Sequence, residues 1–212
     1  MTVAAIILAA GASRRMGRSK PLLPWGEQTL LGWELDELMR SCVDDIVVVL
    51  GARAEAVRRE LGDGARYCVF NARWPQGRAT SLAAGARVLG AGGRATPDAI
   101  VVVNVDQPTR ASIVDALVTE LRGSGADAVQ PSYRGARGHP VVLRGSLLGA
   151  LASATEAAQG LRGVLAAHPP RLVAMDDEPV VRLDLDTPDT LDEARRLLGV
   201  QGPTGGTRTR GG

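Results

Sequence analysis

The residues best equipped for chemistry lie near the start of the chain, in Leu8-Ala9-Ala10-Gly11-Ala12-Ser13-Arg14-Arg15-Met16-Gly17 and the Lys20-Pro21 pair that closes it. They follow Val3-Ala4-Ala5-Ile6-Ile7, an apolar run without polar alternation, the pattern of a strand buried on both faces of a parallel sheet. A small-residue loop leaving such a strand presents successive backbone N–H groups, which can cradle phosphate oxygens. Arg14, Arg15, Arg18 and Lys20 add cations within the same short segment. The combination suits a polyphosphate, above all a nucleoside triphosphate. It is not the dinucleotide fingerprint, since Ser13 and Met16 stand where that motif needs glycines, nor a Walker loop, since Met16 stands where Gly-Lys-Ser/Thr would begin.

Carboxylates supply the complementary chemistry. Asp106 follows the apolar run Ala99–Val103, so it emerges at the carboxyl end of a buried strand, where open α/β sheets place their ligands. Nucleotidyl transfer needs a divalent cation to offset phosphate charge, and Mg²⁺ takes one or two carboxylates and fills its other positions with water and phosphate oxygens. Asp106 with Asp186 meets that demand. Asp184 and Asp186 alternate around Leu185, so on an extended segment they point to one side. Each has a plainer reading too: Asp106 as a turn residue before Pro108, and Asp186-Thr187-Pro188-Asp189 as a helix start.

Gly11-x-x-x-Arg15-Met16 followed by Lys20-Pro21 resembles the nucleotidyltransferases that join an NTP to a phosphorylated acceptor and release pyrophosphate. Within that superfamily the chain is most similar to the molybdenum cofactor cytidylyltransferase and guanylyltransferase family. Asn71-Ala72-Arg73-Trp74-Pro75-Gln76-Gly77 with Ser81, then Asp106-Gln107-Pro108, Gly138-His139-Pro140 and Asp184-Leu185-Asp186-Thr187-Pro188 follow in that family's order, over roughly residues 3–198. The resemblance implies a single-domain, Rossmann-like three-layer α/β sandwich with a mostly parallel mixed sheet, of the nucleotide-diphospho-sugar transferase type. It further implies that Leu8, Ala9, Ala10, Gly11, Ser13, Arg15 and Lys20 bind the nucleotide, with Arg15 and Lys20 stabilising charge on the triphosphate. Asp106 becomes the main metal ligand, with Asp186 preferred over Asp184 as the second. Asn71, Gly77 and Ser81 line the base and ribose, or else are a loop glycine and an N-cap serine. His139 touches the acceptor phosphate, or is a strand-edge residue. In this family Ala at the position of Ala10 accompanies cytidine and Gly guanosine, and a methyl there fills space a purine needs, so CTP is favoured over GTP. The acceptor implied is the molybdopterin cofactor. A transferase for another phosphorylated acceptor and a non-catalytic carrier that delivers finished cofactor to a molybdenum hydroxylase are the alternatives; an oxidoreductase is disfavoured by the missing glycine fingerprint.

The elements that must position these residues alternate between strand and helix, the pattern of a sheet with crossover helices. The sequence predicts strands over Ile46–Leu50, Arg66–Phe70, Ala99–Val103, Ala126–Gln130, His139–Leu143 and Val180–Leu185. It predicts helices over Leu30–Arg40, Ala54–Leu61, Ser81–Leu89, Ser112–Leu121 and Asp189–Leu198, with Ser112 capping the fourth and Thr187 or Asp189 the last. Residues 1–200 are expected to form the nucleotidyltransferase domain. Residues 201–212 are too polar and glycine-rich to bury apolar area and are expected to be disordered.

Composition narrows the class. At 212 residues, with 45% hydrophobic and 23% charged side chains, the chain suits one globular domain. Aromatics at 3% and a net charge of +2 argue against a nucleic-acid partner. The chain shows neither a signal peptide's early basic region nor the run of about 20 apolar residues that spans a membrane, so the expected location is the cytoplasm. Cys42 and Cys68 lack CxxC or metal spacing and read as small core fillers.

Overall fold

A computed structural model describes residues 1–12, 19–93 and 95–201. In chain order the elements are β1 (Val3–Ala9), the hairpin β2 (Pro24–Trp25) and β3 (Gln28–Thr29), α1 (Leu30–Arg40), β4 (Asp45–Leu50), α2 (Ala54–Leu61), β5 (Cys68–Phe70), α3 (Arg78–Leu89), β6 (Ala99–Asn104), α4 (Ala111–Gly123), β7 (Ala128–Tyr133), β8 (Ala136–Arg137), β9 (Val141–Arg144), α5 (Leu148–Ala152), α6 (Leu161–Ala167), β10 (Arg171–Ala174) and α7 (Pro188–Leu198). The main sheet runs β10-β7-β9-β6-β1-β4-β5, with β8 paired to β7. Pairs β6-β1, β1-β4, β4-β5 and β10-β7 are parallel, while β9 runs antiparallel to both β6 and β7.

The unbroken apolar runs are explained by burial on both faces. Val3, Ala5, Ile7 and Ala9 of β1 pack with Leu31, Leu35 and Leu38 of α1 and Leu117 and Leu121 of α4, whereas Ala4, Ile6 and Leu8 pack with Leu82, Ala86 and Leu89 of α3. The period of two sends alternate side chains into opposite layers, and both layers are apolar. The result is a three-layer α/β sandwich with a mostly parallel mixed sheet.

Some predicted elements differ in kind or extent. Val180–Leu185 is no strand: Pro179–Arg182 forms a single 3₁₀ turn and the following residues are irregular. Val180 and Val181 are buried, which gave the run its strand-like look, but the turn closes its own bonds from Val181 N–H to Glu178 O and from Leu183 N–H to Val180 O. The sheet edge belongs instead to Arg171–Ala174, three of whose four residues are exposed, so it lacks the apolar signature of an inner strand. Ser112 does not cap α4; that helix starts at Ala111, whose N–H is taken by Glu37 Oε2 of α1 at 2.9 Å. Helix α3 begins at Arg78, before Ser81. Residues 62–67 are 3₁₀ and shorten β5 to Cys68–Phe70, β7 runs to Tyr133, and β9 starts at Val141, after a cis His139–Pro140 peptide. Thr187 caps α7 by a reciprocal bond with Thr190. Both cysteines are free, Cys68 buried and Cys42 partly so. Burial, then the Asp115 carboxylate, pushes the Cys42 thiol up to about 11, which keeps it protonated. Of the tail expected to be disordered, residues 201–212, only Gln201 is described, exposed and outside any regular element, and residues 202–212 lie outside the described residues.

Candidate active site

Above the carboxyl ends of β1 and β6 lies an open cavity of about 690 Å³. Leu8, Ala10, Gly11 and Ala12 line it from the end of β1, Lys20 and Pro21 from the turn that follows, Trp74, Pro75, Gly77, Arg78 and Ser81 from the start of α3, and Val105, Asp106, Asp184 and Asp186 from the opposite wall. At its centre the buried Lys20 ammonium meets two carboxylates, Asp106 Oδ2 at 3.0 Å and Asp186 Oδ1 at 2.6 Å. The Arg78 guanidinium stands 3.9 Å from the same Asp106 oxygen.

The acidic wall is braced by a relay. Asn104, the last residue of β6, donates through Nδ2 to Gln107 Oε1 at 2.5 Å, and Gln107 Nε2 donates to Asp184 Oδ1 at 2.6 Å. Leu185 N–H donates to the Asp106 carbonyl at 2.8 Å, which fixes the two acidic segments side by side. Asp184 and Asp186 both face the cavity, but through a tight turn in which Asp186 N–H bonds Asp184 O at 2.9 Å, not by strand alternation.

Opposite, Gly77 sits at φ 124°, and a Cβ there would come within 2.3 Å of Glu156 Oε1. That same oxygen accepts the Ala79 N–H at 2.5 Å, so Glu156 caps the start of α3. Gly51, after β4, allows another close approach: a Cβ would lie 2.6 Å from the Ala10 carbonyl and 2.5 Å from the Trp74 ring. Ala10 and Trp74 thereby form one wall.

Of the residues singled out from sequence, Leu8, Ala10, Gly11, Lys20, Gly77, Ser81, Asp106 and Asp186 line this cavity. Ala9 faces the other layer, in the core. Asn71 is buried behind the wall, its Nδ2 donating to Thr80 Oγ1 at 2.9 Å and Ser81 Oγ at 3.0 Å, so it orients Ser81. Ser13 and Arg15 lie outside the described residues. His139 is not among the residues that line the cavity; its backbone N–H donates to Val181 O at 2.7 Å. Burial holds its imidazole below its ordinary value; Asp184 and Asp106 oppose this, and Arg78 and Arg182 reinforce it. Sequence reading missed Trp74, Arg78, Gln107 and Glu156 as site residues. It also passed over Glu34 of α1, fully buried near Asp106 with neither oxygen hydrogen-bonded among the described residues. Burial first, then the Glu37 and Asp106 charges, raise its carboxyl well above the usual range and so favour the neutral form; the nearby Thr109 backbone opposes this.

Among the described residues no cluster of three or more His, Cys, Asp or Glu side chains is arranged to hold a metal. Two carboxylates already converge on one cation, the Lys20 ammonium. Such a pair of hard oxygen donors fits an ion such as Mg²⁺ or Mn²⁺, which leaves its other positions to phosphate and water.

A doubly wound sheet with acids and a lysine converging at the carboxyl ends of its central strands defines a class of nucleotide-handling α/β proteins. The chain belongs to the MobA-like NTP transferase domain family, whose model matches residues 5–172, and is a nucleotidyltransferase of that type. Two relatives span almost its whole length. The nicotine blue oxidoreductase of Paenarthrobacter nicotinovorans is 32% identical, covering 92% of this chain and 96% of its own. The molybdenum cofactor cytidylyltransferase of Escherichia coli is 26% identical, covering 90% and 94%. A solved structure, Rv0371c of Mycobacterium tuberculosis in complex with manganese, is 28% identical with a TM-score of 0.70, covering 94% of this chain and 98% of that one.

Proposed function

We propose that residues 1–200 form an Mg²⁺-dependent cytidylyltransferase that moves CMP from CTP to the phosphate of molybdopterin cofactor and releases pyrophosphate, acting in the cytoplasm and supplying a molybdenum hydroxylase. The observation that carries this reading is the convergence of Lys20, Asp106 and Asp186 in one cavity. An acceptor phosphate oxygen attacks the α-phosphorus of CTP, and the bond from that phosphorus to the bridging oxygen of the β-phosphate breaks. The acceptor oxygen is already ionised at neutral pH, so positioning and charge stabilisation supply the rate. Lys20, with Arg15, steadies the triphosphate; Asp106 and Asp186 would hold Mg²⁺, which offsets phosphate charge when bound. Ala10 lines the cavity and its methyl would take up space a purine needs, and the names of the E. coli cytidylyltransferase and of the manganese complex are consistent with the base and with a divalent ion. The test is pyrophosphate release with Mg²⁺ and molybdopterin, comparing CTP, GTP, ATP and UTP, with Ala10→Gly alongside. CTP ahead of the others, and a shift toward GTP in the variant, are expected. Release with none of the four would overturn the reading.

A second reading follows from the relative named an oxidoreductase, which exceeds the cytidylyltransferase in identity. It predicts a change in the oxidation state of a dye such as nicotine blue without pyrophosphate release, so a dye-absorbance assay and the pyrophosphate assay separate the readings.

A further inference from the structure

Helix α3 lines the cavity through its start, and two side chains from outside the helix fix that start. On one side Asn71 Nδ2 holds Thr80 Oγ1 and Ser81 Oγ, at 2.9 and 3.0 Å. On the other, Glu156 Oε1 accepts the Ala79 N–H at 2.5 Å. A helix start ordinarily takes such an acceptor from its own N-cap side chain. Here the N-cap is Gly77, which has none, and any side chain there would collide with the Glu156 carboxylate. The cap is therefore supplied from a remote turn, the one between α5 and α6. That turn holds its own shape: Gly160 N–H donates to Thr155 O and Gln159 N–H to Glu156 O, both at 2.9 Å, and Ala158 N–H donates to Thr155 Oγ1 at 3.2 Å. Its backbone rests on the helix, since a Cβ at Gly160 would lie 3.1 Å from Ala79 Cβ. Glu156 itself does not line the cavity, whereas Gly77 and Ser81 do.

We propose that Glu156 is a positioning residue for the nucleotide: by holding the Ala79 amide it fixes Gly77 and Ser81 where CTP meets them. The inference rests on the transferase reading and deepens it, naming a residue that sets affinity for CTP without touching it. An uncapped first turn leaves its amides unpaired, and a glycine before it adds backbone freedom. Substrate would then have to order that turn on binding, and the ordering weakens affinity. Lys20, Asp106 and Asp186 stand on other segments, so the rate at saturating CTP is set elsewhere. Reach decides the effect. Glutamine keeps an acceptor oxygen at the same distance along the side chain; aspartate keeps the charge but is one methylene shorter.

The test is calorimetric titration of the full chain with CTP and Mg²⁺, beside steady-state pyrophosphate release, for wild type, Glu156→Gln and Glu156→Asp. Glu156→Asp should weaken CTP binding and raise its KM about tenfold, the effect of losing a cap, while kcat changes less than about threefold. Glu156→Gln should stay within about threefold of wild type in all three quantities. Glu156 is exposed, so neither substitution opens the core, and melting temperatures show that both variants fold. A lower melting temperature for Glu156→Asp with unchanged CTP affinity would make the cap merely structural and overturn the inference. So would the reverse order, with Glu156→Gln impaired and Glu156→Asp normal. Wild-type protein that binds CTP but releases no pyrophosphate would count against the transferase reading alone, and the titrations still decide the role of Glu156. Wild-type protein that binds no CTP would overturn both.

Discussion

Replacing Lys20 with methionine tests whether the ammonium is the cation that allows Asp106 and Asp186 to face each other. Methionine keeps the packing of the buried stem, so charge is the main change. Two oxygens held at 3.0 and 2.6 Å from one nitrogen can stand no more than about 5.6 Å apart. Two such charges repel by about 3 kcal/mol at an effective dielectric constant of about 20. Asp186 is 45% exposed, so solvent screening trims the cost to about 1–2 kcal/mol. For a domain of this size that lowers the melting temperature by roughly 2–8 °C. Scanning calorimetry in EDTA reads this directly. Added Mg²⁺ or Mn²⁺ should then stabilise Lys20→Met more than wild type, because a divalent ion takes over between the carboxylates and ligand binding stabilises by mass action. Pyrophosphate release should fall about 100- to 1,000-fold, the usual cost of losing a charge-stabilising donor. A variant that melts at the wild-type temperature in EDTA and responds equally to metal would refute the electrostatic account of this centre.

Two further substitutions discriminate between neighbouring groups. Asp186→Asn should raise the Mg²⁺ concentration for half-maximal rate about tenfold or more, while Asp184→Asn, whose carboxylate is engaged by Gln107, should raise it less than about threefold; the reverse order would make Asp184 the ligand. Glu34→Met should stabilise the protein increasingly as pH rises. The buried carboxyl stays protonated while its unfolded counterpart ionises near 4.5, so wild type loses up to about 1.4 kcal/mol per pH unit above that point until the folded carboxyl itself ionises. Urea unfolding at pH 4.5 and pH 8 measures this, and an equal gain at both would show that Glu34 is not held neutral.

What was legible in the sequence was what local pattern encodes. The bounds of α1 and α2 follow from apolar spacing, and β1, β4 and β6 from runs buried on both faces. Asp106 was legible for a related reason: a carboxylate that ends an all-apolar strand has one place to go in such a sheet. Val180–Leu185 misleads because burial alone does not make a strand; a paired edge does, and β10 holds that edge. The Gln107 bond to Asp184 and the Glu156 cap on Ala79 each join residues 77 positions apart. No local pattern announces such a pair, since the fold alone creates the proximity.

The missing glycine fingerprint excludes one way of binding a dinucleotide, not redox chemistry on this scaffold, for a relative named an oxidoreductase shares nearly the whole chain. Fold therefore leaves the reaction open, and the site must decide it. Hydride transfer creates no polyphosphate leaving group and has no need of paired carboxylates around a cation. Nucleotidyl transfer brings a triphosphate and a phosphorylated acceptor to one point, a crowding of negative charge that a divalent metal and a lysine can offset. Holding a buried ammonium against two carboxylates carries a desolvation cost that packing alone would not favour. Here that arrangement lies on the cavity wall and not in the core, which is where charge compensation during phosphate transfer would require it.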